Sequence, residues 1–102
     1  MPFIKIKPLG ELPAGSLAQM EINGAAYALC HHADGTLRVF DGLCPHAGGP
    51  LGEGNLDGDQ IVCPWHGWAF DCKTGINDFD PDIQLKSYPV EIKEGSIFAE
   101  LP

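Results

Sequence analysis

Glycine and proline interrupt this chain at short intervals, and no stretch between them keeps the 3.6-residue apolar period of a helix. The 102 residues include 13 Gly and 9 Pro, many of them between short segments whose apolar residues alternate as in a β-strand. Turn signals at residues 23–24, 33–35, 57–59 and 93–95 predict hairpins between such segments. The sequence therefore predicts an all-β fold with mostly antiparallel connections.

Eight strands are expected, at residues 3–7, 17–22, 25–31, 36–41, 60–63, 68–71, 85–92 and 96–101. The length suits one domain spanning residues 1–102. No apolar run approaches the ~20 residues of a membrane-spanning helix, and the N-terminus lacks the pattern of a secretory signal. We expect a cytoplasmic protein.

Four cysteines in a cytoplasmic protein favour metal or redox chemistry over structural disulfides. Cys30 lies in an alternating apolar stretch and Cys72 follows the segment WAFD. Both are interpreted as inert, partly buried thiols without a role. His31 and His32 precede a turn and have no cysteine partner at metal spacing, so we expect them to be solvated.

The remaining cysteines belong to two Cys/His pairs. Cys44 and His46 form the first pair, Cys63 and His66 form the second, and sixteen residues separate them. Each pair lies at the end of a predicted strand, 36–41 or 60–63, where the chain turns into a loop that contains Pro and Gly. We expect the two loops to project side by side from one sheet and to hold a metal centre between them. Two Cys and two His can bind either zinc or an iron–sulfur cluster.

The segments CPH and CPWHGWAFD closely resemble the binding motif of Rieske iron–sulfur proteins, and the resemblance extends over nearly the whole chain. It implies a Rieske-like antiparallel β-sandwich with a small cluster-binding subdomain of two ligand loops, at about residues 41–82. It also implies one [2Fe–2S] cluster, with Cys44 and Cys63 on one iron and His46 and His66 on the other. A zinc-stapled β interaction module is the less favoured alternative, because zinc modules usually pair like ligands within one element.

The resemblance also indicates a low reduction potential. High-potential family members carry a disulfide between the ligand loops, at the positions of Gly49 and Trp65 here, and hydroxyl groups near the cluster, at the positions of Trp68 and Phe70. None of these four residues has a thiol or a hydroxyl group, so the interactions that favour the reduced state are missing. For Trp65 and Trp68, two roles are equally favoured: packing at the base of the loop, or shielding the cluster or touching a partner. Pro81 resembles a proline of the family's third loop, which covers the cluster.

Low-potential Rieske centres serve ring-hydroxylating oxygenases. The segment CPWHGWAFD is similar to the Rieske domain of those enzymes. Those enzymes also need a catalytic iron in a large domain, and this sequence has neither such a domain nor a Gly-rich motif for a nicotinamide or flavin. We therefore expect a Rieske-type ferredoxin rather than an enzyme, passing single electrons from a flavin-containing, NAD(P)H-dependent reductase to a terminal oxygenase. A small subunit of an assimilatory nitrite reductase is the alternative.

Charge is concentrated in the cluster-binding part of the chain. Of a formal net charge of −8, residues 41–82 carry −7, because they hold Lys73 and eight acids: Asp41, Glu53, Asp57, Asp59, Asp71, Asp78, Asp80 and Asp82. We expect a monomer that docks transiently on basic patches of both partners through this acidic end, with the imidazole edges of His46 and His66 as the electron exit. We expect it to bind neither nucleic acid nor membrane.

Overall fold

The computed structural model describes residues 3–45, 48–65 and 67–102. These ranges contain ten strands and two single-turn 3-10 helices, and no helix in them is long and apolar enough to cross a membrane. The strands are β1 Phe3–Pro8, β2 Ser16–Ile22, β3 Ala25–His31, β4 Leu37–Asp41, β5 Asn55–Asp57, β6 Gln60–Val62, β7 Ala69–Asp71, β8 Ser87–Tyr88, β9 Val90–Lys93 and β10 Ser96–Glu100. The 3-10 helices are Leu9–Glu11 and Leu51–Glu53.

The strands form three antiparallel sheets. The central sheet has the order β2-β3-β4-β8, the terminal sheet β1-β10-β9 and the small sheet β5-β6-β7. The small sheet is formed by the chain between β4 and β8. The predicted all-β, antiparallel fold is confirmed.

Most predicted strands are present with ends shifted by one residue. The predicted strand 85–92 is an exception, because Pro89 divides it into β8, which pairs with β4, and β9, which pairs with β10. Proline offers no N–H group to a ladder, so one strand can end there and the next can join another sheet. The sequence reasoning also missed β5 and both 3-10 helices.

The predicted turns bring strands into register. Asn23 and Gly24 both have positive φ, 52° and 83°, which two-residue hairpin turns of this type require. Seven residue pairs follow in the β2–β3 ladder, from Ile22 opposite Ala25 to Ser16 opposite His31. The turn between β9 and β10 uses the same conformations at Glu94 and Gly95.

Apolar side chains cover both faces of the central sheet. A first core contains Ala28, Cys30 and Phe40 from the central sheet with Ile61 and Phe70 from the small sheet. A second core contains Tyr27, Leu29, Leu37 and Val39 from the central sheet with Ile97, Ala99 and Leu101 from the C-terminal segment. Successive residues of β3 therefore enter opposite cores, as the period of two in a strand requires.

Cys30 and Cys72 form a disulfide and are fully buried, so their interpretation as free, partly buried thiols without a role is wrong. Cys30 lies in β3 of the central sheet, and Cys72 directly follows β7 of the small sheet. The two residues are 42 positions apart in the chain, and the packing of the first core brings them together.

Candidate metal centre

The two free thiols of the described chain lie in the first core. Cys44 and Cys63 are each only 2% exposed, and neither is part of a disulfide. Cys44 lies three residues after β4 of the central sheet, whereas Cys63 directly follows β6 of the small sheet. The expectation that both ligand loops leave one sheet is therefore wrong. The missed strand β5 is the reason, because it allows β6 and β7 to form a sheet of their own.

Each cysteine begins a loop that closes in the same way. The Cys44 N–H donates to the Gly49 carbonyl at 2.8 Å, and the Cys63 N–H donates to the Trp68 carbonyl at 2.7 Å. Both hydrogen bonds span five residues. The loop backbone is thus fixed at the residue that carries the thiol.

The first loop meets the second at Gly49. A Cβ atom on Gly49 would lie 2.9 Å from Cys63 Sγ and 3.0 Å from Trp65 Cγ, closer than such atoms pack. Glycine at this position therefore lets the backbone of the first loop pass directly over the sulfur of the second.

The surroundings of Cys63 disfavour the thiolate form of its side chain, with the exception of one hydrogen bond. Burial raises the pKa of the Cys63 thiol, and the neighbouring Cys44 side chain raises it further. The Trp65 N–H donates to Cys63 Sγ at 3.4 Å and acts in the opposite direction. Such an N–H group stabilises negative charge on sulfur, and a metal ligand at this position would benefit from it.

The predicted ligands His46 and His66 lie outside the described residues. Within residues 3–45, 48–65 and 67–102, no group of three His, Cys, Asp or Glu side chains is arranged to hold a metal. What these ranges do place together is a pair of buried thiols, with an N–H donor on one sulfur. Soft sulfur ligands of this kind suit zinc or an iron–sulfur cluster, and the pair fits the two-cysteine half of a Rieske centre.

Aromatic side chains surround the thiol loops. Phe70 is fully buried in the first core, and Trp68 is half-buried against that core. The ring of Trp68 packs edge-on against Phe79, with 4.8 Å between ring centroids. Trp65, in contrast, is 49% exposed. Trp68 therefore packs the base of the second loop, and Trp65 is presented to solvent.

A buried asparagine, which the sequence reasoning missed, holds the third loop. Asn77 is 3% exposed, and its Nδ2 donates to the Ala69 carbonyl of β7. Its Oδ1 accepts hydrogen bonds from the N–H groups of Phe79 and Asp80. An asparagine that begins an Asp-rich turn was the available signal. Pro81, in the same loop, is exposed.

A second missed feature is a polar cluster that joins two turns, here called the junction cluster and formed by His32, Asp34, Asp59 and Lys73. The His32 ring contacts Asp59 through Nε2 and Asp34 through Nδ1, and Lys73 Nζ lies 2.6 Å from Asp34. The hydrogen bond to Asp59 is the main reason that the pKa of His32 is raised, and Lys73 holds the pKa of Asp34 far below its usual range.

The junction cluster corrects one prediction. His32 is 9% exposed, and the half-buried His31 places Nδ1 2.7 Å from the Leu12 carbonyl. The expectation that both imidazoles are solvated groups at a turn is therefore wrong. His32 instead connects the turn after β3 to the turn between β5 and β6, and hence the central sheet to the small sheet.

The fold and the thiol pair together define a small β protein with two buried free thiols at a candidate metal site. The Rieske [2Fe-2S] domain model matches residues 3–89, and the chain belongs to this family. Its iron–sulfur character is thereby established at the level of the family.

Relatives of similar length narrow the class. The chain is 31% identical to ferredoxin CarAc of Metapseudomonas resinovorans, over 94% of this chain and 91% of the relative. It is 33% identical to the ferredoxin component of the naphthalene 1,2-dioxygenase system of Pseudomonas aeruginosa, over 97% and 95%. These relatives are electron-transfer components rather than catalysts, and the prediction of a Rieske-type ferredoxin is confirmed.

Solved structures agree. The Sphingomonas yanoikuyae B1 ferredoxin matches with a TM-score of 0.85 at 31% identity, over 99% of this chain and all of that one. A chain from a complex of reduced oxygenase and oxidised ferredoxin in carbazole 1,9a-dioxygenase matches with a TM-score of 0.83 at 30% identity, over 95% of this chain and all of that one.

Proposed function

We propose that this protein carries single electrons from a flavin-containing, NAD(P)H-dependent reductase to a terminal oxygenase of the ring-hydroxylating or a similar type. The observation that carries the proposal is the match, along nearly the whole chain, to ferredoxin components of dioxygenase systems. The likeness to a ferredoxin complexed with an oxygenase supports the acceptor. We place the exchange in the cytoplasm, where NAD(P)H is available, and propose that the carrier acts as a monomer.

We further propose that Cys44, Cys63, His46 and His66 hold one [2Fe–2S] cluster. When bound, such a cluster accepts and releases one electron. The chain contributes buried positions for the two thiolates and the Trp65 N–H donor to Cys63 Sγ. Phe70 has no hydroxyl to donate to sulfur, which supports a low potential.

The metal content tests this ligand set. Purified protein should contain two irons and two acid-labile sulfides per chain, and Cys44→Ser or Cys63→Ser should lose them. Gly10→Ala, which adds a methyl group in open space outside both thiol loops, is the control and should retain iron and sulfide. Stoichiometric zinc that persists after the Cys44 and Cys63 substitutions would contradict the assignment.

The surface beside the thiol loops suits protein partners. Leu43, Trp65 and Phe79 are 55%, 49% and 61% exposed, three of the four large hydrophobic residues that are so exposed in the described ranges. Leu43 adjoins Cys44, Trp65 lies two residues after Cys63, and Phe79 packs on Trp68. We propose that these three side chains form the apolar centre of the docking face.

Carboxylates around this centre would steer basic partners. Glu53, Asp57, Asp78 and Asp82 are exposed. Asp41 and Asp59 make structural contacts, since Asp41 accepts a hydrogen bond from Tyr88 and Asp59 contacts His32. We therefore propose that the four exposed residues, rather than all the acids of the segment, attract basic partners.

Electron-transfer kinetics distinguish steering from simple solubility. Below saturation, the rate with reductase or oxygenase should fall as ionic strength rises, because salt screens the attraction. The double variant Glu53→Gln with Asp78→Asn should lower the rate at low salt and weaken the salt dependence. Glu91→Gln with Glu94→Gln, at the exposed β9 hairpin, is the charge-matched control. Rates that stay flat from low to high salt, with the visible spectrum intact, would refute electrostatic docking.

A further inference from the structure

The disulfide joins the two sheets that carry the thiol loops. Cys30 belongs to the central sheet, from which the Cys44 loop emerges, and Cys72 follows the small sheet, from which the Cys63 loop emerges. Both free cysteines lie between Cys30 and Cys72 in the chain, so one covalent ring encloses both loops. The bond therefore crosses the interface on which the relative position of the two loops depends.

All four cysteines share one environment. The two disulfide sulfurs and the two free thiols belong to the first core, and the disulfide residues are 0% exposed. The Cys72 N–H donates to the Asp59 carbonyl at 2.7 Å, which ties the disulfide to the turn between β5 and β6. The junction cluster is adjacent in sequence on both sides, with His32 two residues after Cys30 and Lys73 directly after Cys72.

We propose that Cys30 and Cys72 form a thiol–disulfide site, separate from the cluster ligands, whose oxidised state holds the ligand loops together and so governs how long the protein retains its metal centre. Loss of a metal centre of this kind requires the two loops to separate. A covalent bond across the sheets restricts that separation, and reduction removes the restriction.

The oxidation step needs an acceptor, for which a low-molecular-weight disulfide is sufficient. The thiolate of one cysteine attacks a sulfur of the small disulfide, forming a mixed disulfide and releasing one small thiol. The second cysteine then displaces the other small thiol as the Cys30–Cys72 bond forms. Two protein thiols are oxidised by two electrons, the small disulfide is reduced by two electrons, and both protons leave on the released thiols.

Burial gives the oxidised state its persistence. Thiol–disulfide exchange requires the attacking thiolate to reach a sulfur, and neither sulfur is accessible in the folded protein. Cellular dithiols can therefore act only when the small sheet opens. This accounts for a disulfide in a chain that we place in a reducing compartment.

The state of the site is measured by trapping thiols. Cells that produce the protein are lysed into acid, and the chain is denatured and alkylated with or without prior treatment with a phosphine reductant, then weighed by mass spectrometry. We expect two alkylated cysteines without the phosphine, mapped to Cys44 and Cys63, and four with it. Four alkylated cysteines without the phosphine would overturn the proposal.

The consequence is measured on the metal-loaded protein. Bleaching of the visible absorbance in the presence of an iron chelator is followed for oxidised protein and for protein reduced at Cys30 and Cys72, with the thermal unfolding midpoint as a second readout. We expect reduction to accelerate bleaching at least tenfold and to lower the midpoint. Equal bleaching rates, in samples whose thiol counts differ as required, would also overturn the proposal.

A double variant separates the disulfide from direct effects of the reductant. Cys30→Ala with Cys72→Ala should bleach at one rate whether or not reductant is present, close to the rate of reduced wild-type protein. If reductant accelerates the double variant as much as the wild-type protein, the reductant acts on the metal centre itself and the proposal fails. If the double variant does not fold, the comparison of oxidised with reduced wild-type protein still decides the matter.

Discussion

Gly49→Ala tests the contact between the two thiol loops. The added methyl group would lie 2.9 Å from Cys63 Sγ and 3.0 Å from Trp65 Cγ. The exposed Trp65 ring can move aside. The buried Cys63 sulfur cannot move if it holds the proposed metal centre, so the loops must separate. Overpacking of this kind costs about 1–3 kcal/mol. If that cost falls on the metal-bound state, chelator-induced bleaching should accelerate roughly five- to 150-fold, since each 1.4 kcal/mol is a factor of ten.

Two other glycines separate the causes of the effect. Gly48 has φ of 75°, and an added methyl group there would have no atom within 4 Å, so Gly48→Ala adds backbone strain without a clash. Gly10 lies in an ordinary backbone conformation with open space around it, and Gly10→Ala should leave both bleaching and stability unchanged. Bleaching is followed by visible absorbance, and unfolding by circular dichroism. A Gly49→Ala protein that bleaches at the wild-type rate would refute the argument.

Three further outcomes are expected. Phe70→Tyr should raise the midpoint potential by about 40 mV, which corresponds to one hydrogen bond to sulfur of about 1 kcal/mol. A redox titration measures this shift. An unchanged potential, with the new hydroxyl within reach of Cys44 or Cys63 sulfur, would contradict the prediction. The raised pKa of His32 means that the folded state holds the proton more tightly than the unfolded state, so its stabilisation is complete below pH 6.5 and is lost as the pH rises through the folded pKa. Unfolding midpoints between pH 6 and 9 should show this decline, and His32→Gln should abolish it. Asn77→Ala removes three hydrogen bonds that hold the third loop and should lower the unfolding free energy by about 1–3 kcal/mol in urea titrations, whereas wild-type stability would show that the loop is held by packing alone.

Local signals in the sequence predicted most of the fold. The β2–β3 hairpin has the expected bounds at β3 and the expected Asn23–Gly24 turn, because alternation and turn chemistry both act over a few neighbouring residues. The prediction of one strand at 85–92 was wrong because the apolar pattern continues through Pro89, whereas the pairing strand changes from β4 to β10. β5 was missed because its three residues, Asn55–Asp57, are too few to show a period.

The candidate site was likewise predicted only in part. Spacing and resemblance pointed to Cys44 and Cys63, and the structure places both thiols in one core. The assignment of these two cysteines as ligands stays a prediction, as do the assignment of His46 and His66 and a single domain over residues 1–102. The sheet from which each loop emerges could not be predicted, because it depends on whether β6 pairs with β4 or with the unrecognised β5.

The two features that the sequence concealed have a common physical reason. The disulfide and the junction cluster both fasten the small sheet to the central sheet, through partners 27 to 42 residues apart in the chain. The strands of the small sheet are three residues each, too short for a sheet of this size to be stable alone. Closing a loop of 42 residues contributes roughly 4 kcal/mol in the chain-entropy account. A sheet that carries a proposed metal ligand but few ladder bonds therefore needs cross-sheet bonds, and these are long-range contacts that no local pattern in the sequence reports.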